Sequence, residues 1–165
     1  MAVYTTINDP SAQFQIALYT GNSSTQSVVN GGNSNLQPDL VWTKCRSNTS
    51  NNFLFDSNRG VTKQIHSDTA DAEGTNATSL TAFNSDGWTM GNTGGMNFNS
   101  QTYVGWQWKA NGGTTSTNTD GATNGYNTTV QANQTAGFSI VKFNAPFDQG
   151  NGRYNLGHGL GATPE

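Results

Sequence analysis

Turn chemistry is the feature that most constrains what this chain can fold into. Asn-Gly, Gly-Gly, Asp-Gly and Ser-Asn pairs recur at short intervals, and between them lie runs of roughly four to eight residues rich in Val, Ile, Thr and aromatics. Glycine and asparagine tolerate the backbone angles of tight turns, whereas β-branched and aromatic side chains suit a pleated surface. The pattern predicts strands at Phe14–Thr20, Leu40–Cys45, Phe53–Phe55, Val61–His66, Leu80–Phe83, Trp88–Met90, Thr102–Lys109, Thr128–Ala132 and Phe138–Phe143. Only Ser67–Glu73 reads as helical, one turn or two with Ser67 as the N-cap.

Composition decides between such strands and disorder. Charged residues are 10% of the chain, where ordinary domains carry about 25%, and the mean hydropathy of -0.62 with 32% hydrophobic residues would suit a solvated chain. The aromatics argue for a core: four Trp, five Tyr and eight Phe, each able to bury roughly 150–250 Å². Seven Lys and Arg in a chain of net charge -3 form no basic stripe, so nucleic-acid binding lacks its electrostatic driving force. No run approaches the roughly 20 apolar residues of a membrane helix, which argues against insertion. The start, Met1-Ala2-Val3-Tyr4-Thr5-Thr6, has neither the basic nor the apolar segment of a signal peptide, so a cytosolic product is expected. The single cysteine, Cys45, permits no internal disulfide.

Short strands with one apolar face each point to two antiparallel sheets packed as an all-β sandwich, jelly-roll-like in connectivity. In Thr102–Lys109, alternation puts Val104, Trp106 and Trp108 on one face and Tyr103, Gly105 and Gln107 on the other; the tryptophans are expected in the core. Residues 1–110 read as one sandwich module. Residues 111–125, with Ala122 as their one apolar side chain, read as a linker with nothing to anchor it. Beyond it the sequence begins again. Phe14-Gln15-Ile16-Ala17-Leu18-Tyr19 returns as Phe138-Ser139-Ile140-Val141-Lys142-Phe143, and Leu36-Gln37-Pro38-Asp39 as Ala162-Thr163-Pro164-Glu165. Residues 126–165 are therefore expected to be the opening strands of a second, truncated repeat, packed on the first module or on another chain.

The motifs FQIALYTGN, LQPDLVWTK, FDSNRGVTK, FNSDGW, TYVGWQWKANGG, AGFSIVKF and GHGLGATPE, with the opening MAVYTTINDPSAQ, resemble a family of repeat-containing virion proteins of marine bacteriophages, usually labelled tail fibre or structural proteins. The resemblance spans nearly the whole chain. It implies a non-enzymatic β-sandwich module at the virion surface, in a tail fibre or other surface fibre, that serves particle architecture or host attachment beside other virion proteins. A capsid decoration protein and a freestanding lectin-like module gripping host-surface glycans are the alternatives.

The candidate site residues are few. His66, His158 and Cys45 show no spacing for zinc or a nucleophile–base pair, and Asp68, Asp71 and Glu73 lack the glycine register of a calcium loop, so no cofactor, metal or catalytic residue is expected. Ten Asp and Glu with no paired motif argue against a glycosidase. Asp56 and Arg59 read as a turn-closing pair. Trp88, beside the Asp86-Gly87 turn, is the expected exposed ligand contact, with Asp86. Phe138, Ile140, Phe143 and Phe147 are too apolar for water, so the tail is expected to pair with a neighbouring chain, giving a homo-oligomer, a trimer in a fibre.

Overall fold

A computed structural model of the chain describes residues 7–120, 127–144 and 155–162. The larger sheet runs, in spatial order, β1 (Phe14–Thr20), β9 (Thr102–Trp108), β3 (Leu40–Cys45), β4 (Phe53–Asp56), β5 (Lys63–His66) and β6 (Gly74–Thr75). A second sheet of β2 (Gln26–Val28), β8 (Gly87–Met90) and β7 (Leu80–Asn84) packs over it. All pairings in both are antiparallel. The chain is an antiparallel β-sandwich, as its turn spacing predicts. No helix of the described residues is long and apolar enough to cross a membrane.

Alternation sets the core. In β1, Gln15, Ala17 and Tyr19 are buried while Ile16 and Leu18 are exposed; in β3, Val41, Thr43 and Cys45 are buried and Leu40, Trp42 and Lys44 face out. Tyr19, Tyr103, Val41, Phe53 and Phe55 meet Val28, Leu80, Trp88 and Met90 of the opposing sheet, with Met96 from the short helix α1 (Gly94–Asn97). Tyr19 stacks on Tyr103 with ring centroids 5.0 Å apart, and Trp88 lies edge-on to Tyr19 at 6.0 Å.

Two expectations about tryptophan are corrected here. Trp88 is fully buried, not exposed. The inward face of β9 carries Tyr103, Gly105 and Gln107, so Trp106 and Trp108 point away from the core and are half-buried. These corrections share one cause. The Trp88 indole presses on the backbone at Gly105, where a Cβ would lie 2.5 Å from Trp88 Cη2, and only glycine leaves room for it.

A third sheet, of β10 (Ser116–Asn118), β11 (Thr128–Asn133) and β12 (Phe138–Lys142), lies against the end of the larger sheet where β1 and β4 meet their flanking turns. Asn58 Nδ2 donates to the carbonyls of Thr129 and Ile140 at 2.8 and 3.2 Å, Lys142 Nζ to Asn58 O at 3.1 Å, and Asn133 Nδ2 to Gln13 Oε1 and Lys109 O. Oriented with its Nε2 toward Asp39, the fully buried Gln131 amide donates to Asp39 Oδ1 at 3.0 Å and accepts from Asn58 N at 3.1 Å. The tail thus packs on the first module through a mostly polar joint. β12, the sequence counterpart of β1, pairs with β11 in this sheet; the other matching point of the repeat, Ala162–Glu165, reaches beyond the described residues.

The joint also corrects the expected linker. The Asp39 carboxylate is fully buried and accepts from Ala110 N at 2.7 Å, Gly112 N at 2.8 Å, Gly113 N at 2.6 Å and Ser57 Oγ at 2.7 Å. The segment at 111–113 is anchored by its own N–H groups, which an apolar pattern cannot reveal, and Ser116–Asn118 then pairs with β11. Ser67–Glu73 is not helical: Asp68 Oδ1 accepts from Asn52 N at 2.9 Å and Thr69 bonds Asp71, so side chains compete for the backbone and hold bends.

Candidate functional site

The outward face of the larger sheet carries a row of apolar side chains. Cross-strand register lines up Ile16, Trp106, Trp42, Leu54 and Ile65 as one row over five strands, β1, β9, β3, β4 and β5. Flanking it on one side are Phe14, Trp108 and Leu40, and on the other Leu18, Val104 and Lys44. Trp42 and Trp106 sit with ring centroids 5.5 Å apart at a 55° tilt, and Phe14 meets Trp108 at 4.9 Å. Ile16 is 55% and Leu18 66% exposed, so this end of the face meets solvent.

Part of this face is covered by the chain's own tail. Phe138 stacks on Trp108 at 6.1 Å, and Ile140, Val141 and Phe143 border a cleft with Asp56, Arg59 and Ile65. Phe143 is 47% exposed; Phe147 lies outside the described residues. The free edge of β12 has no strand beside it among the described residues.

A polar rim borders the open part. Trp42 Nε1 donates to Asn52 Oδ1 at 3.2 Å, Asn52 N donates to Asp68, and Lys44 Nζ donates to Ser50 O at 2.6 Å. The Asn52 N–H beside Asp68 holds its carboxyl below the usual carboxylate range, so the rim keeps that negative charge at neutral pH. The face offers shape, two indoles and fixed polar groups, which suits binding.

The remaining candidates are dispersed. Asp56 Oδ1 accepts from Arg59 N at 2.8 Å while Oδ2 takes Arg59 Nε, and Arg59 Nη2 donates to Leu54 O at 3.0 Å; the pair ties the β4–β5 turn to its own strand. Asp86 Oδ1 accepts from Leu36 N at 3.2 Å and does not stand beside an exposed indole. Cys45 is buried in the core. His66 Nδ1 donates to Asn52 O at 3.1 Å and its ring meets Phe53, whereas His158 Nδ1 accepts from Leu160 N at 3.1 Å. Sequence reasoning missed Trp42, Ile16 and Leu18 as surface residues. Alternation in β1, β3 and β9 puts most of the larger apolar groups on the face that the fold turns outward, so a reading by hydrophobicity alone places them inside.

A family model described as a domain of unknown function (DUF7483) matches residues 9–165, almost the entire chain. No curated protein and no solved structure matches it.

Proposed function

The chain belongs to the DUF7483 family, and we propose that it is a non-enzymatic structural module of a bacteriophage particle, set in a tail fibre or another surface fibre and working by packing against neighbours. The observation that carries this reading is the apolar row from Ile16 to Ile65, half-buried along its middle and open at Ile16 with Leu18 beside it. A face of that breadth is costly to leave in water, and contact with another protein removes the cost. The motif resemblance to virion fibre proteins supports the same reading, as does the edge of β12, which among the described residues has no strand beside it, with its exposed Phe143, a setting that suits strand addition between copies.

The test is made on purified phage particles that encode the protein. Mass spectrometry should find it in the particle, and the double substitution Ile16→Glu and Leu18→Glu should leave its circular dichroism unchanged while removing it from particles. A protein missing from wild-type particles, or a double variant incorporated as well as wild type, overturns the reading.

A further inference from the structure

β11 is two-sided. Gln131 and Asn133 reach the first module, whereas Thr128, Val130 and Ala132 face the segment Gly157–Gly161. Thr128 Oγ1 donates to Gly157 O at 3.0 Å and Gln134 Nε2 to Gly159 O at 3.2 Å. Gly159 has φ +74°, and a Cβ there would sit 3.2 Å from both Val130 Cγ2 and Ala132 Cβ, so the loop backbone lies directly on the strand. Between this loop and β10 opens a cleft of about 420 Å³. Asn111, Ser116, Thr117, Asp120 and Gln134 line its walls, over a floor of Val130 and Ala132.

We propose that this cleft binds a neutral polyhydroxylated ligand, a carbohydrate. Its volume falls in the small-molecule range of roughly 300–1,000 Å³, but most such sites are lined by apolar groups and this one is not. An apolar ligand would strand the hydroxyls and carboxamides of the walls without partners. Among the described residues neither Lys nor Arg lines the cleft, and Asp120 repels anions. One carboxylate among neutral groups falls well short of the oxygen cage that calcium takes. Hydroxyls and carboxamides both donate and accept, which is the pattern a sugar presents in return, and the half-buried Ala132 at the base adds an apolar contact for its C–H face. The cleft shares no lining residue with the outer face of the larger sheet, so this inference stands apart from the assembly role.

The experiment is a ¹H–¹⁵N NMR titration of the full chain with glucose, galactose, mannose and N-acetylglucosamine in turn. At least one sugar should shift the amides of Ser116–Asn118, Gln134 and Gly159–Gly161 saturably. Asp120→Ala, at an exposed position, should weaken binding by about tenfold, the loss of one hydrogen bond, and Ala132→Leu, which fills the floor, should abolish it. Silence of those amides with all four sugars, shifts that fall on Trp42 and Trp106 instead, or variants that bind like the wild type overturn the proposal.

Discussion

Asp39 gathers three backbone N–H groups and a hydroxyl around one buried carboxylate. Removing it in Asp39→Ala leaves those donors without their charged acceptor, at a cost of about 3 kcal/mol, and releases the start of the tail. Urea denaturation should show the lower midpoint, and trypsin should cut after Lys109 faster than in the wild type; an unchanged midpoint would count against the anchor. Tyr19 illustrates a different dependence. Its hydroxyl donates to Met96 O at 2.9 Å, and burial, with smaller contributions from Tyr103 and Cys45, pushes the phenol well above the usual tyrosine range. A raised folded-state value means that the stabilising preference for the neutral form is complete below the ordinary tyrosine pKa and is lost as pH rises through the alkaline range. Tyr19→Phe should therefore cost about 1 kcal/mol at neutral pH and make the alkaline decline of the melting temperature shallower. The decline should not vanish, because burial raises Tyr103 as well.

Strand β9 sits between β1 and β3, and its orientation decides which side chains the sandwich encloses. Gly105→Ala puts a methyl group against a fully buried indole, and overpacking of that kind costs about 1–3 kcal/mol. Thermal unfolding monitored by near-ultraviolet circular dichroism should report both the loss of stability and a disturbed Trp88 signal. At the joint, Phe138 is the aromatic contact that complements the polar bonds of Asn58 and Asn133. Phe138→Ala should remove about 1 kcal/mol of ring–ring attraction, red-shift the emission of Trp108 and speed amide exchange in β12. Emission and exchange that match the wild type would show that the stacking does not hold the element.

Every residue of the buried cluster between the two main sheets lies between Ala17 and Tyr103, so the sandwich keeps its core without the third sheet. A chain ending at residue 113 retains the Asp39 anchor and should unfold cooperatively, with the near-ultraviolet signature of Tyr19, Trp88 and Tyr103 intact. Removing residues 114–165 also removes the free edge of β12 and the exposed Phe143. If copies join through the tail, analytical ultracentrifugation should give a smaller subunit number for the truncated chain than for the full one. Equal numbers would put the contact on the outer face of the larger sheet instead.

The nine segments that read as strands are strands, with small shifts at their ends, because each carries its own local signal: β-branched and aromatic residues closed off by turn formers. Gln26–Val28 and Ser116–Asn118 carry no such signal and pair only because a neighbouring strand presents its edge. The all-β sandwich was legible from the sequence alone for the same local reason. The facing of β9 was not. A period of two offers both faces, and with large side chains on each, the choice fell to Trp88 across the interior, many residues away in sequence. Likewise nothing near Asp39 announces that its partners are the N–H groups at 110, 112 and 113. Local propensity determines where strands form, and which surfaces and polar groups meet is decided only when the sheets close on one another.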